Sequence, residues 1–308
     1  MFFRNLTLFR FPASLDLSSL ESHLADCALK PAGPLELFSR GFVAPFGPLR
    51  QAQDDRPGNL LHRVGDCIWL TVGGEERLLP SVVVNDAAAK KIAEAERREG
   101  RKLGGRTRKR IKDEVMLDLL PRAFIRPVRT DACLDLASGV IAVDTSSRKQ
   151  AEAAVSEVRR ALGSFPALPL NAETSPRAVL TGWIAGEPMP EGVVLGDECE
   201  LKDAADRGAI VKCQRQELQS DEIAKHLESG KQVTRLALVA DDHVSFVLGE
   251  DLVVRKLKFL DGAVDQLENT ERESMEAELD ARFALMSAEL QRVFAMLEKA
   301  FKLSRAEA

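Results

Sequence analysis

Several residue types that would indicate particular chemistries are scarce or absent. The 308-residue chain has no tyrosine, two tryptophans and five cysteines, and no two cysteines are separated by two residues. Five widely spaced cysteines form neither a disulfide framework nor a common zinc-binding motif, so we expect a reducing compartment. No apolar run approaches the roughly 20 residues of a membrane helix. Charge interrupts the N-terminal apolar stretch that a signal peptide would need. The sequence therefore predicts a cytoplasmic protein that does not enter a membrane.

Motifs of common enzyme classes are also missing. Gly230 and Lys231 are followed by Gln232 rather than by Ser or Thr, so they form no phosphate-binding loop of the Walker type. No Gly-x-Ser-x-Gly motif occurs, and the four histidines have no His or Cys at metal-ligand spacing. We predict a protein that is not an enzyme and that uses no cofactor and no metal. A DNA-processing enzyme with a carboxylate pair assembled by the fold stays open as an alternative.

Charge is distributed unevenly along the chain. The whole sequence has 43 Lys and Arg against 48 Asp and Glu, which gives a net charge of −5. Residues 90–112 contain eleven of the cations and three of the acids, so this segment carries +8 and the rest of the chain −13. One strongly basic segment on an acidic protein is typical of a surface that binds a polyanion.

The basic segment lies within a predicted pair of helices, which we call the basic arm (residues 85–120). The first helix, over 87–98, is expected to begin after Asn85 and Asp86 and to end at Gly100. The second helix covers 107–120 and begins with crowded cations, which the helix dipole disfavours there and which few acids offset. An anionic partner would relieve this cost. The candidate contacts are Arg97, Arg98, Arg101, Lys102, Arg106, Arg108, Lys109, Arg110 and Lys112.

The composition of the basic arm favours one class of polyanion. The arm has no aromatic residue, so stacking on unpaired bases is not expected. Arginine at this density suits phosphate oxygens better than base edges. We therefore expect double-stranded DNA, bound through its backbone with little sequence preference. An anionic membrane fits less well because no Trp or Phe is available for insertion, and an acidic protein partner stays open as a further alternative.

The remaining hydrophobic pattern predicts strands and helices in mixed order. Strands are expected over 2–11, 41–43, 67–72, 131–136, 139–144, 209–214, 232–240, 243–249 and 252–259, and helices over 17–28, from Ser146 or Ser147 to Gly163, and over 221–229. A turn at Gly73-Gly74 is expected to end the strand over 67–72. No strand-helix unit repeats, so we predict an α+β fold with antiparallel sheets. The proline-rich stretch 164–178 predicts a linker between a β-rich region 1–172 and a second region 173–308.

The C-terminal residues 268–303 predict one long amphipathic helix. Apolar residues recur on one face at alternating steps of four and three residues. That face either covers the protein's own core or pairs with a helix from a second copy. On the second alternative, the candidate dimer contacts are Leu279, Phe283, Met286 and Leu290.

Seven stretches of the sequence are together specific enough to indicate a family. They are FFRNLTLFRF at 2–11, LLPSVVVN at 78–85, IKDEVMLDLLPRAF at 111–124, VRRALGS at 158–164, SDEIAKHLESGKQVTRLAL at 220–238, RKLKF at 255–259 and LDARFALMSAEL at 279–290. With them, essentially the whole chain resembles the RdgC family of bacterial recombination-associated proteins.

The resemblance implies a homodimer closed at both ends into a ring, with a positively charged hole that takes duplex DNA without sequence specificity and without catalysis. It also implies association with the nucleoid and restraint of the strand-exchange recombinase. By resemblance, Phe124 is a candidate contact between two subunits. Five further cations match basic positions of the family and are candidate DNA contacts: Lys212, Arg215, Arg255, Lys256 and Lys258.

Overall fold

The computed structural model describes residues 2–46, 59–203, 208–268 and 275–304, which form an α+β fold with antiparallel sheets. The strands are β1 (Thr7–Arg10), β2 (Phe38–Val43), β3 (Leu61–Val64), β4 (Cys67–Leu78), β5 (Phe124–Asp135), β6 (Val140–Val143), β7 (Leu168–Pro169), β8 (Val193–Lys202), β9 (Ile210–Gln214), β10 (Gln232–Ala240), β11 (Val244–Gly249) and β12 (Val254–Phe259). The helices are α1 (Leu20–Asp26), α2 (Ser81–Glu99), α3 (Gly105–Leu119), α4 (Arg148–Leu162), α5 (Pro176–Ile184), α6 (Asp221–Glu228), α7 (Asp261–Glu268) and α8 (Met275–Phe301).

The chain divides into two compact units. Unit 1 comprises residues 1–21, 61–70 and 130–308, and unit 2 comprises residues 22–60 and 71–129. Strands β4 and β5 contribute residues to both units. The expected boundary between residues 172 and 173 falls inside unit 1, and a division of the chain at that point stays a prediction.

Unit 1 contains two antiparallel sheets. In the first, β6 lies between β1 and β5, and β7 pairs with the other side of β1. The second sheet has the strand order β12-β11-β10-β8-β9. The three-strand meander predicted near the C-terminus is confirmed, since β10, β11 and β12 are neighbours in sequence and in the sheet.

Helix α8 contributes its apolar face to the core of unit 1. The Phe283 ring lies 5.4 Å from the Trp69 ring of β4. Phe283, Met286 and Leu290 are 1%, 0% and 7% exposed, and Leu279 is partly exposed. The face therefore covers the protein's own core, and a role of its residues as dimer contacts stays a prediction. The expected helix includes residues 269–274, which lie outside the described residues.

Unit 2 combines β2, the second half of β4 and the basic arm. Gly41 of β2 lies opposite Gly73 of β4. A Cβ on Gly41 would lie 2.5 Å from the Leu29 backbone, and a Cβ on Gly73 would lie 2.6 Å from a methyl of Val43. The prediction of a turn at Gly73-Gly74 is wrong, because β4 continues through both glycines to Leu78. Glycine is present here because neighbouring atoms approach too closely for a Cβ.

The basic arm is formed by α2 and α3, so it begins at Ser81 rather than at residue 85, and the two helices bury a small apolar cluster between them. Its buried members are Val84 and Ala88 of α2 and Val115 of α3. The expected helix start after Asn85 and Asp86 is corrected, since α2 begins at Ser81. The helix extends further because Val84 lies in its first turn and packs against α3.

The predicted linker over 164–178 overlaps a helix that the sequence analysis missed. The Ser175 hydroxyl accepts a hydrogen bond from the backbone N of Ala178 at 3.5 Å, and Pro176 occupies the first turn of α5. Ser followed by Pro is a helix-start signal as well as a loop signal. Burial of Leu180 and Trp183 in unit 1 favours the helix.

Candidate nucleic-acid interface

A short elbow joins the two helices of the basic arm, and Glu96 holds it in place. Helix α2 ends at Gly100, whose φ is 65°, and α3 begins at Gly105. The Glu96 Oε1 atom accepts hydrogen bonds from the Leu103 backbone N at 2.9 Å and from Arg108 Nη2 at 2.7 Å. The Leu103 amide first, and Arg108 second, lower the pKa of Glu96 below its ordinary value. No local pattern indicates this contact, because Glu96 and Arg108 are 12 residues apart.

Acids neutralise five cations of the basic arm. The ion pairs are Lys90–Asp86 at 2.8 Å, Lys91–Asp118 at 2.6 Å, Arg101–Glu99 at 3.2 Å, Arg108–Glu96 at 2.7 Å and Arg110–Glu114 at 3.4 Å. Arg101, Arg108 and Arg110 are among the predicted contacts with a polyanion. Each exposed pair adds little to stability, but a phosphate would have to compete with the carboxylate for these three cations.

The other predicted cations of the basic arm are exposed and form no ion pair with any described acid. They are Arg97, Arg98, Lys102, Arg106, Lys109 and Lys112. Arg106 and Lys109 lie near the start of α3, whose first turn contains no acid and has no side-chain cap. Positive side chains at a helix N-terminus are unfavourable for the helix itself. These six cations therefore provide charge that a polyanion can neutralise without displacing a described carboxylate.

The second group of predicted cations lies on or beside the second sheet of unit 1. Three of the five form ion pairs, which are Lys212–Glu200 at 3.3 Å, Arg255–Asp251 at 2.6 Å and Lys256–Glu198 at 2.7 Å. Arg215 and Lys258 are exposed. Burial raises the pKa of Asp251, but the hydrogen bonds and charge of Arg255, together with backbone hydrogen bonds, outweigh burial, so the pKa is lowered. The structure thus balances most of this basic group with carboxylates.

The sequence analysis missed one cation of this group, Arg235 of β10. Its Nη1 atom lies 3.8 Å from Glu200 Oε2, on the same carboxylate that Lys212 contacts. The sequence contained a signal for it, because Arg235 is the one charged residue in the mostly apolar strand QVTRLALVA. In the structure its side chain is exposed, and most of its neighbours in the strand are buried. Four cations line a depression of about 110 Å³ here: Lys212, Arg235, Arg255 and Lys256.

Phe124 is the most exposed of the large apolar side chains that the structure describes in unit 2. It is the first residue of β5 and is 83% exposed. Unit 2 also exposes Val82, Leu117 and Ile125. Exposed aromatic and aliphatic side chains in such numbers are typical of an interaction surface.

Among the described residues, no group of three or more His, Cys, Asp or Glu side chains could hold a metal ion. No helix within the same residues is both long enough and apolar enough to cross a bilayer.

These features define an α+β protein with two antiparallel sheets, a long C-terminal helix, and a helical arm that exposes cations with no partner among the described acids. A family model described as "RdgC: Putative exonuclease, RdgC" matches residues 1–304. The chain belongs to the RdgC family.

Full-length relatives carry the name "Recombination-associated protein RdgC". One from Xanthomonas campestris pv. campestris (strain B100) is 65% identical over 308 residues and covers 100% of both chains. One from Xanthomonas oryzae pv. oryzae (strain MAFF 311018) is 63% identical over 307 residues, also with 100% of both chains covered. A relative from Xylella fastidiosa (strain 9a5c) is 61% identical over 306 residues, with 99% of both chains covered.

Proposed function

We propose that this protein binds double-stranded DNA through the phosphate backbone, without sequence preference, and thereby restrains recombination by the strand-exchange recombinase. The observation that carries the proposal is the set of exposed, unpaired cations on the basic arm. The name of its relatives supports a role in recombination. The protein acts as a binding protein rather than as an enzyme, in the cytoplasm and on the nucleoid.

The chemistry of the basic arm fits phosphate better than base edges. Its free charges include two arginines on α2 and Arg106 and Lys109 on α3. Arginine and lysine that neutralise phosphates release bound counterions from the duplex, and this release drives binding. Contacts of this kind position a protein on DNA but carry no sequence information.

We propose further that the protein is a homodimer that closes into a ring around the duplex. The family resemblance supports this arrangement. The exposure of Phe124 supports it as well, because a second subunit would remove this ring from water. Burial of a phenylalanine side chain contributes about 1.5–3 kcal/mol.

The test of DNA binding is the salt dependence of the affinity for short fluorescein-labelled duplexes of unrelated sequence, measured by anisotropy. We expect equal affinities for all sequences and a log-log slope of about −0.9 for each phosphate neutralised. A binding constant that does not change with salt would contradict the proposal. If no duplex binds at low salt, the basic arm binds an acidic protein instead.

A matched pair of variants tests the role of the unpaired cations. The double variant Arg106→Ala/Lys109→Ala removes two cations that have no acid partner among the described residues. Its control, Lys90→Ala/Lys91→Ala, removes the same charge from the same arm, but from cations already paired with Asp86 and Asp118. We expect the first variant to reduce the slope by up to about 1.8 and the control to reduce it less. Equal effects would mean that only total charge matters.

The dimer proposal is tested by the mass of Phe124→Ala in solution. We expect a larger monomer fraction than in the wild type with no loss of thermal stability of the monomer. Leu168→Ala is the control, because Leu168 is also largely exposed but lies in unit 1.

A ring also predicts that linear duplex is bound differently from a closed circle of the same sequence. Equal binding to linear and circular DNA would contradict the ring.

A second candidate function comes from the description of the matching family model as an exonuclease. Incubation of end-labelled linear duplex with the purified protein and Mg²⁺ or Mn²⁺ tests it. Release of nucleotides that persists through purification and disappears on substitution of one carboxylate would favour the enzyme. Intact DNA at protein concentrations that saturate binding would favour the binding protein.

A further inference from the structure

Two glutamates of β8 occupy the centre of the cationic group on the second sheet. Strand β8 lies between β9 and β10, and Glu200 is opposite Lys212 on one side and Arg235 on the other. Its Oε2 atom lies 3.3 Å from Lys212 Nζ and 3.8 Å from Arg235 Nη1. Both carboxylate oxygens of Glu198 accept hydrogen bonds from Lys256 Nζ at 2.7 Å.

The alternation of side chains along β8 places both glutamates on one face of the sheet. Successive residues of a strand point to opposite faces, and Cys199, between the two glutamates, is buried at 4% exposure. Glu198 and Glu200 therefore share the outer face with the cations that line the depression. Thr234 Oγ1 donates to Glu200 Oε1 at 3.2 Å and helps to hold the carboxylate between its partners.

The charges of this face nearly cancel. Its four cations are Lys212, Arg235, Arg255 and Lys256, and three carboxylates contact them: Glu198, Glu200 and Asp251. A carboxylate presents two oxygens to lysine and arginine donors, as a phosphodiester does with its two non-bridging oxygens. The carboxylates thus occupy the positions at which phosphate oxygens of a duplex would contact the same donors.

We propose that Glu198 and Glu200 are internal competitors for DNA phosphate, and that they limit the affinity of the second sheet for the duplex. The inference rests on the proposed function and adds Arg235 to the cations of this surface. A phosphate that contacts Lys212 or Arg235 competes with Glu200 for these cations. Fewer counterions are then released for each phosphate bound, and the affinity of this face is lower than its number of cations indicates.

The experiment compares Glu200→Gln and Glu198→Gln with the wild-type protein in duplex binding over a range of salt concentrations. Glutamine keeps the shape of the side chain and removes its charge. The control is Glu157→Gln on α4, which removes a similarly buried charge from its pair with Arg160. We expect both β8 variants to bind the duplex several-fold more tightly at moderate salt, with a slope steeper by about 0.9 for each additional phosphate neutralised. The control should resemble the wild type.

A second variant identifies the source of the gain. In the Glu200→Gln protein, adding Lys212→Ala and Arg235→Ala removes both cations that the glutamine has freed, so we expect most of the gain in affinity to disappear. Thermal unfolding of each variant shows whether it remains folded. If the Glu200→Gln protein is folded and binds with equal or lower affinity, the inference is overturned, because the carboxylates would then position the cations or play no part. Absence of binding by the wild type at low salt would instead overturn the proposed function.

Discussion

Cys199 of β8 and Cys213 of β9 lie directly opposite each other in the second sheet. Both side chains are buried, and neither cysteine is in a disulfide. Directly opposed residues of antiparallel strands have Cα atoms about 4.5–5.5 Å apart, which lies within the range of disulfides. Burial, followed by the adjacent Cys213, raises the pKa of Cys199 to about 12. The pair is therefore placed for a disulfide but is slow to form one at neutral pH.

Oxidation at alkaline pH should join Cys199 to Cys213. Thiolate is the attacking species in thiol-disulfide exchange, so we expect a disulfide-exchange reagent such as oxidised glutathione to act faster as pH rises. Closing a loop of about 15 residues should stabilise the protein by about 3 kcal/mol. Peptide mass mapping without reductant detects the bond, and thermal unfolding measures the stabilisation. Cys213→Ser is the control and should show neither effect. A wild type whose two thiols are alkylated with no disulfide detected would contradict the prediction.

Replacing Glu96 with alanine should loosen the elbow of the basic arm. The substitution removes the acceptor of the Leu103 backbone N–H and the partner of Arg108. We expect faster amide hydrogen exchange at Leu103 and its neighbours, measured at one fixed pH. Glu99→Ala removes an acid that pairs only with the Arg101 side chain among the contacts described, and it should leave this exchange unchanged. Equal protection of Leu103 in all three proteins would show that Glu96 does not hold the elbow.

The contacts of Glu96 should depend on pH in a defined direction. Its pKa in the folded protein is lowered by Leu103 and Arg108. A lowered carboxyl pKa contributes stability that is fully present above the ordinary value and is lost as pH falls through the lowered value. The side-chain carboxyl carbon shift of Glu96, followed by NMR, should titrate below that of glutamate in a model peptide. A midpoint at or above the peptide value would contradict the assignment.

Gly41→Ala should destabilise unit 2. The added methyl would meet the backbone of Leu29 at 2.5 Å, where no side-chain rotation can make room. Overpacking of this kind costs about 1–3 kcal/mol, which denaturant unfolding can measure. The control is Gly104→Ala, because a Cβ at Gly104 would meet nothing within 4 Å and its φ of −69° suits any residue. Similar stabilities of the two variants would contradict the close approach of β2 to Leu29.

Much of the fold was predictable from local patterns. The meander of β10, β11 and β12 and the helix α8 follow from periods of two and of 3.6 residues in the apolar positions. Predictions failed where a local signal has two meanings. Gly73 matches a turn signal but lies inside β4, because glycine also permits close packing between strands. Ser175 and Pro176 match a linker signal but begin α5.

The candidate site was predictable in its composition but not in its pairing. The excess of cations in residues 90–112 can be counted from the sequence. The two helices of the basic arm are predicted by the helical patterns on either side of Gly100, Gly104 and Gly105. Which cations remain unpaired depends on contacts such as Glu96 with Arg108, whose separation of 12 residues matches no helical or strand period. The same holds for Arg235, which meets Glu200 only through the register of two strands.

The sequence by itself determined the α+β class, the position of the basic arm and the segregation of its charge from an acidic chain. These properties depend on composition and on short periodicities, which neighbouring residues set. Only the tertiary structure decided that the apolar face of α8 is buried in its own subunit and that carboxylates of β8 neutralise cations of β9, β10 and β12. Those outcomes depend on distances between residues far apart in the chain, and such distances arise only when sheets and helices pack in one register.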